Sequence, residues 1–169
     1  MTEFHKLPAA QRWTKWDDLS KGKVLAHFKE KGFRVEEFGF SRSSIRTQQL
    51  PQSLRMTPDY IVQKDEVSWF VEVKGCKRVL RLKFISLFGM FFWDNEMPLR
   101  LAVYDSEVDR IFLFDMKQLR NLISESVRKV DFFKDNNEPY IEIPMPRDLL
   151  MRIKQLWHGL FGTTEEGGD

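Results

Sequence analysis

Residues 57–75, TPDYIVQKDEVSWFVEVKG, restrict the fold more than any other stretch of this chain. DYIVQ (Asp59–Gln63) and VSWFVEVKG (Val67–Gly75) are rich in β-branched and aromatic residues, and only KDE (Lys64–Glu66) separates them. Two such runs around so short a connection predict an antiparallel hairpin. In the second run, alternation puts Trp69, Val71 and Val73 on one face and Glu72 and Lys74 on the other. The first face belongs in a core. The second brings a carboxylate and an ammonium to the same side, with Asp59 at the start of the partner strand.

The flanking segments supply the layers around that hairpin. Val24, Leu25 and Phe28 have helical spacing; Asp17, Asp18 or Ser20 can cap the helix, and Gly32 stops it. FRVEEFGF (Phe33–Phe40) reads as a strand that buries Phe33, Val35 and Phe38. Ser41–Thr57 is polar and basic and follows neither period, so it is an irregular excursion, long enough to suggest a functional loop. Leu80–Trp93 reads as a helix packed on most sides, with Gly89 allowing a close approach. LRLAVYD (Leu99–Asp105) and RIFLFD (Arg110–Asp115) are strands around the turn SEVD. MKQLRNLISESVR (Met116–Arg128) is an amphipathic helix presenting Leu119, Leu122, Ile123 and Val127, and PYIEI (Pro139–Ile143) is a short strand. RDLLMRIKQLWHGLF (Arg147–Phe161) closes the chain as an amphipathic helix. The order predicts an α/β sandwich with a mixed central sheet and a C-terminal helical extension. Residues 1–161 are expected to form one domain, and 162–169 a flexible polar tail.

Composition supports a real core: 169 residues include fifteen Phe and five Trp, too much apolar bulk for a disordered chain. Cys76 is the one cysteine, so no internal disulfide can form, which suits a reducing compartment. No stretch approaches the ~18 uninterrupted apolar residues of a membrane span, and MTEFHKLPAAQRW lacks a signal-peptide core. A soluble cytoplasmic protein is expected.

Net charge is only +2, but its distribution is uneven. Phe40–Pro58 holds Arg42, Arg46 and Arg55 and no acid; Val73–Trp93 holds Lys74, Lys77, Arg78, Arg81 and Lys83 and no acid. The rest of the chain carries an excess of acids. Such a body steers a polyanion towards one face. Arg42, Arg46, Arg55, Lys77, Arg78, Arg81 and Lys83 are therefore the candidate phosphate contacts. Lys77, Arg78 and Arg81 follow the second hairpin strand directly and are expected near any site on it.

Two carboxylates and an ammonium at one sheet edge suit phosphodiester hydrolysis. Hard cations take oxygen ligands, and Mg²⁺ uses one or two carboxylates while leaving room for water and phosphate. A bound ion polarises the phosphoryl group and acidifies water, and an ammonium adds charge where the transition state becomes more negative. A solvated Glu-Lys pair on an exposed hairpin face is the plainer alternative. No phosphate-cradling GxxxxGK[ST] loop exists, and His5, His27 and His158 match no metal spacing.

Pro58-Asp59 with Glu72-Val73-Lys74 resembles the signature of the PD-(D/E)xK nuclease superfamily, the restriction-endonuclease-like fold, over roughly Asp17–Phe114. The resemblance implies an αβββαβ core. It implies that Asp59, Glu72 and the Val73 carbonyl hold Mg²⁺, with Mn²⁺ able to substitute, and that Lys74 assists the water. It also implies DNA cleavage to 5′-phosphate and 3′-hydroxyl ends. TPDY and EVKG are similar to Holliday-junction-resolving members. Many members carry a Glu on the first helix; counted back from Gly32, that position is Lys21, and Asp17 or Asp18 could substitute. The departure keeps a second reading open, a non-catalytic nucleic-acid-binding module on a nuclease-like scaffold. A third is a protein-interaction domain using the stripe near Trp157. A homodimer would supply the two sites that two strand cuts need.

Overall fold

The predicted hairpin is present, and the rest of the fold is organised on it. The computed structural model describes residues 9–39, 56–127, 129–134 and 137–145. Strands β2 (Tyr60–Lys64) and β3 (Val67–Cys76) pair antiparallel, Tyr60 opposite Val71 and Lys64 opposite Val67. Asp65 makes the turn at φ 55°, a left-handed conformation that Asp tolerates better than most residues. Strand β1 (Arg34–Glu37) joins the outer side of β2 antiparallel.

Strand β5 (Leu99–Asp105) runs parallel to β3, and β6 (Arg110–Asp115) returns antiparallel to β5. The sheet is thus mixed, in the order β1-β2-β3-β5-β6. A parallel step needs a crossover, which β4 (Val79–Lys83) and helix α2 (Phe84–Asp94) supply. Helix α3 (Met116–Ser126), β7 (Lys129–Phe132) and β8 (Pro139–Pro144) follow β6. Strands β4, β8 and β7 form a second, antiparallel sheet in that order.

Helix α1 (Ala9–Glu30) covers one face of the large sheet: Val24 and Phe28 pack with Tyr60, Val62, Trp69, Val71, Val73 and Ala102. On the other face Phe70, Leu101, Val103 and Phe114 meet Leu87 and Met90 of α2, Leu119 and Leu122 of α3, and Leu80, Leu82 and Ile143 of the small sheet. Burying a side chain of this size contributes about 1.5–3 kcal/mol, so these facing apolar rows set the layers. Gly32 at φ 78° ends α1, and the Phe33 N–H closes back on the Phe28 carbonyl at 3.0 Å. Asp115 and Gln118 form a capping box on α3. Gly89 does allow a close approach: a Cβ there would lie 2.7 Å from Met56 Cβ.

Four expectations change. The segment read as one helix from Leu80 to Trp93 is strand β4 followed by α2; Leu80 and Leu82 are buried while Arg81 is exposed, the period of a strand. Helix α1 begins by Ala9, so Asp17, Asp18 and Ser20 lie inside it and do not cap it. Ser20 Oγ donates back to the Trp16 carbonyl at 2.9 Å. Strand β1 is shorter than Phe33–Phe40, and Phe38 is exposed. Strand β7 was not foreseen. The final helix, the polar tail and most of the basic excursion lie outside the described residues. No helix among the described residues is long and apolar enough to cross a membrane.

Candidate active site

Register sets the two hairpin carboxylates face to face. Extending the Tyr60–Val71 pairing by one step places Asp59 across from Glu72, on the face of Ile61 and Phe70. The next step would bring Pro58 opposite Val73. Proline has no N–H for a ladder, and β2 stops at Tyr60. The Asp59 carboxylate takes its place: Oδ2 accepts the Val73 N–H at 2.8 Å. In a strand, the N–H and C=O of one residue point to the same side, so the Val73 carbonyl is turned towards Asp59 as well. The Asp59 carbonyl accepts from the N–H groups of Phe38 at 3.0 Å and Gly39 at 3.2 Å. Asp59 is therefore fixed at both its backbone and its carboxylate.

Lys74 Nζ donates to Glu72 Oε1 at 2.5 Å, and their side chains are 23% and 14% exposed. Burial pushes the Glu72 carboxyl up to about 7 against the pull of Lys74, and the nearby charge of Asp59 acts in the same direction as burial. Burial also disfavours the Lys74 charge, but Glu72 and Asp59 outweigh it and hold its pKa above the ordinary lysine value. Lys74 thus stays protonated in the metal-free cluster.

Helix α1 brings two further charges. Gly75 is why it comes so close: a Cβ there would lie 2.2 Å from Ser20 Oγ and 2.4 Å from Trp16 Nε1. Asp17 and Lys21, one helical turn apart, reach the end of β2 at this contact. Lys21 Nζ lies 2.7 Å from Asp59 Oδ1 and 3.3 Å from Asp17 Oδ2. Burial opposes the Lys21 charge, but Asp59 and Asp17 outweigh it and hold its pKa well above the usual lysine range. From the sequence, Lys21 stands out only as a departure from the resembled family's pattern. The signal for its role was its distance from Gly32, but nothing local showed which group it would meet.

The sequence-predicted trio of Asp59, Glu72 and Lys74 is therefore brought together, with Val73 between. Asp17 reaches the cluster through Lys21, while Asp18 is exposed. Asp17, Asp59 and Glu72 against Lys21 and Lys74 leave one net negative charge when all are ionised, which repels a phosphate unless a further cation is present. The Asp59 and Glu72 carboxylates and the Val73 carbonyl are all hard oxygen donors, a set that fits Mg²⁺. Among the described residues no three His, Cys, Asp or Glu side chains are grouped as a metal cage. Water and phosphate oxygens would have to fill the remaining positions, as Mg²⁺ commonly requires.

The basic candidates divide. Arg78 pairs with Glu107, Arg81 Nε with Glu142 Oε1 at 2.9 Å, and Lys83 with Glu138. Lys77 is exposed. Arg42, Arg46 and Arg55 lie outside the described residues.

The chain is thus a mixed α/β sandwich with a cluster of carboxylates and ammonium groups at the end of its central hairpin. No protein-family model matches it, and no curated protein matches it in sequence. Among solved structures it is similar to Hjc, a Holliday junction resolvase from the archaeal hyperthermophile Archaeoglobus fulgidus. That likeness has 12% identity and a TM-score of 0.45, over 72% of this chain and 85% of that one. It is also similar to D212, a nuclease from a fusselovirus, with 14% identity and a TM-score of 0.46 over 91% of this chain and 98% of that one.

Proposed function

We propose that this chain is a Mg²⁺-dependent DNA endonuclease that hydrolyses phosphodiester bonds, with branched or junction DNA as its preferred substrate. The observation that carries the reading is the convergence of Asp59, Glu72 and Lys74 at the end of the β2–β3 hairpin. Asp59 is held there by the Val73 N–H, and Glu72 by Lys74. The αβββαβ order, with β4 inserted before the second helix, agrees with the fold that the PD…EVK signature implies.

In this reading Asp59, Glu72 and the Val73 carbonyl would hold the ion, and Mn²⁺ could replace it. When bound, the ion supplies positive charge beside the phosphate and acidifies water for attack. The protein's own contributions are positional and electrostatic. The Val73 N–H holds the Asp59 carboxylate, so the ligand arrives already oriented. Lys74 directs its ammonium to the same face as Glu72, where it can stabilise charge building on a phosphoryl oxygen. Lys77 and the basic excursion that includes Arg42, Arg46 and Arg55 would hold the DNA backbone. Such contacts give affinity and little sequence preference. A homodimer would place two sites on a junction that needs two cuts.

The test is cleavage of plasmid and four-way-junction DNA with Mg²⁺ or Mn²⁺. Loss of cutting is expected in Asp59→Ala, Glu72→Gln and Lys74→Ala proteins. An unchanged rate in Asp59→Ala or Lys74→Ala protein defeats the assignment.

One observation favours a second reading. The Lys21 ammonium lies on Asp59, which suits a nucleic-acid-binding module that has no catalytic cation. Salt-sensitive DNA binding without metal-dependent cutting selects it.

A further inference from the structure

The Lys21 ammonium bridges two carboxylates as a bound cation would. It is 2.7 Å from Asp59 Oδ1 and 3.3 Å from Asp17 Oδ2. Without a cation between them these two acids would repel in a poorly solvated corner, since the side chains of Asp17, Lys21 and Asp59 are 31%, 27% and 17% exposed. The other Asp59 oxygen, Oδ2, is already engaged by the Val73 N–H. A divalent ion drawn to Asp59 shares the carboxylate with the Lys21 ammonium on Oδ1 and the Val73 N–H on Oδ2. Two cations contend for one carboxylate. The Asp17 carboxylate, on the same helix, remains as a partner for the ammonium once Asp59 is taken.

We propose that Lys21 is the resident cation of this site: it neutralises and positions Asp59 in the metal-free protein, and it lowers divalent-ion affinity because its ammonium competes with the ion for the same carboxylate. This rests on reading Asp59 and Glu72 as divalent-ion ligands, and it makes Lys21 a positioning residue. Metal loading then becomes the step that converts a stable, closed cluster into a competent one.

The test is Mn²⁺ binding, read from the electron paramagnetic resonance of free Mn²⁺ and by calorimetry. The proteins compared are the full chain and its Lys21→Met, Lys21→Gln and Asp59→Asn forms, with melting curves taken in chelator. Removing the competing charge is expected to tighten Mn²⁺ binding about ten-fold or more in Lys21→Met protein. Lys21→Gln, which keeps a donor for Asp59 and should fold even where Lys21→Met does not, is expected to show the same tightening. Both variants should melt lower than the parent in chelator and recover with Mn²⁺. Asp59→Asn should bind Mn²⁺ poorly. Equal Mn²⁺ affinity in the parent and both Lys21 variants overturns the proposal; if the parent still cuts DNA, the nuclease reading stands without it. No Mn²⁺ binding by any form overturns both. Tighter binding in the Lys21 variants, with no cutting by any form, upholds the role of Lys21 and removes the nuclease reading.

Discussion

The Val73 amide nitrogen donates to Asp59 Oδ2 across 2.8 Å, at the point where Pro58 ends the β2–β3 ladder. A side chain replaces a backbone acceptor there, so one carboxylate both completes the sheet edge and faces the candidate site. Structural and chemical roles at Asp59 can be separated by the choice of substitution.

Asp59→Asn keeps an oxygen acceptor for the Val73 N–H, whereas Asp59→Ala removes it. Leaving a buried donor unpaired costs about 1–3 kcal/mol. Urea unfolding should therefore show Asp59→Ala less stable than Asp59→Asn by about that amount. Cleavage should fall about a hundredfold or more in both. Equal stability of the two variants would mean that the carboxylate does not hold the strand end.

Glu72 makes stability depend on pH. Burial raises its folded-state carboxyl to about 7, above an unfolded value of about 4.3. A raised acid favours the protonated native state, so the folded form binds more protons between these values. Its contribution is full below about 4.3 and is lost as pH rises through about 7. Glu72→Gln protein cannot lose a proton and escapes that decline. In chelator, the melting temperature of the Gln variant relative to the parent should rise between about pH 5 and pH 8. A constant difference across that window would show that Glu72 is not held in a disfavoured charge state.

Gly75 sets the distance between α1 and β3. A methyl group there would meet Ser20 Oγ at 2.2 Å and Trp16 Nε1 at 2.4 Å. Overpacking of this kind costs about 1–3 kcal/mol, and the helix must shift to relieve it. Gly75→Ala protein should unfold at lower urea concentration. Its melting temperature should also depend less on Lys21, because the shift draws Lys21 away from Asp59. A stability equal to that of the parent would show that α1 can move without consequence.

The bases after β3 should differ in their effect on DNA binding. Arg81 and Lys83 are offset by Glu142 and Glu138, while Lys77 is exposed. Fluorescence anisotropy over a range of salt should show the slope of log affinity against log salt reduced by about one in Lys77→Ala protein. Arg81→Ala and Lys83→Ala should change it less. A larger effect from Arg81 than from Lys77 would reverse this order of importance.

The elements read correctly from sequence are those whose signals are local. The hairpin has β-branched runs on each side of three polar residues, α1 has Gly32 just beyond its end, and α3 has Asp115 and Gln118 at capping-box spacing. The elements misread depend on distant partners. Val79–Lys83 alternates as a strand does, but it runs without a break into the apolar Phe84–Trp93, and its partner β8 comes after three more strands and two helices. Strand β7 exposes Lys129, Val130 and Phe132, so no buried stripe announces it. Asp17 and Ser20 resemble caps, but Asp17 pairs with Lys21 and Ser20 bonds to Trp16, so the helix continues through them.

The amino-acid order by itself determined that Glu72 and Lys74 share a face, because a period of two fixes neighbours along one strand without help from the rest of the chain. It also determined that Pro58 cannot continue the ladder. Only the folded structure decided the register, in which Lys64 pairs with Val67 and Asp59 therefore stands across from Glu72, and which cation meets Asp59. The Lys21–Asp59 contact joins a helix to a strand end far along the chain, and it exists because glycine at position 75 lets α1 lie close against β3. Charges brought together by packing act on one another over a few ångströms, and no local pattern encodes that distance.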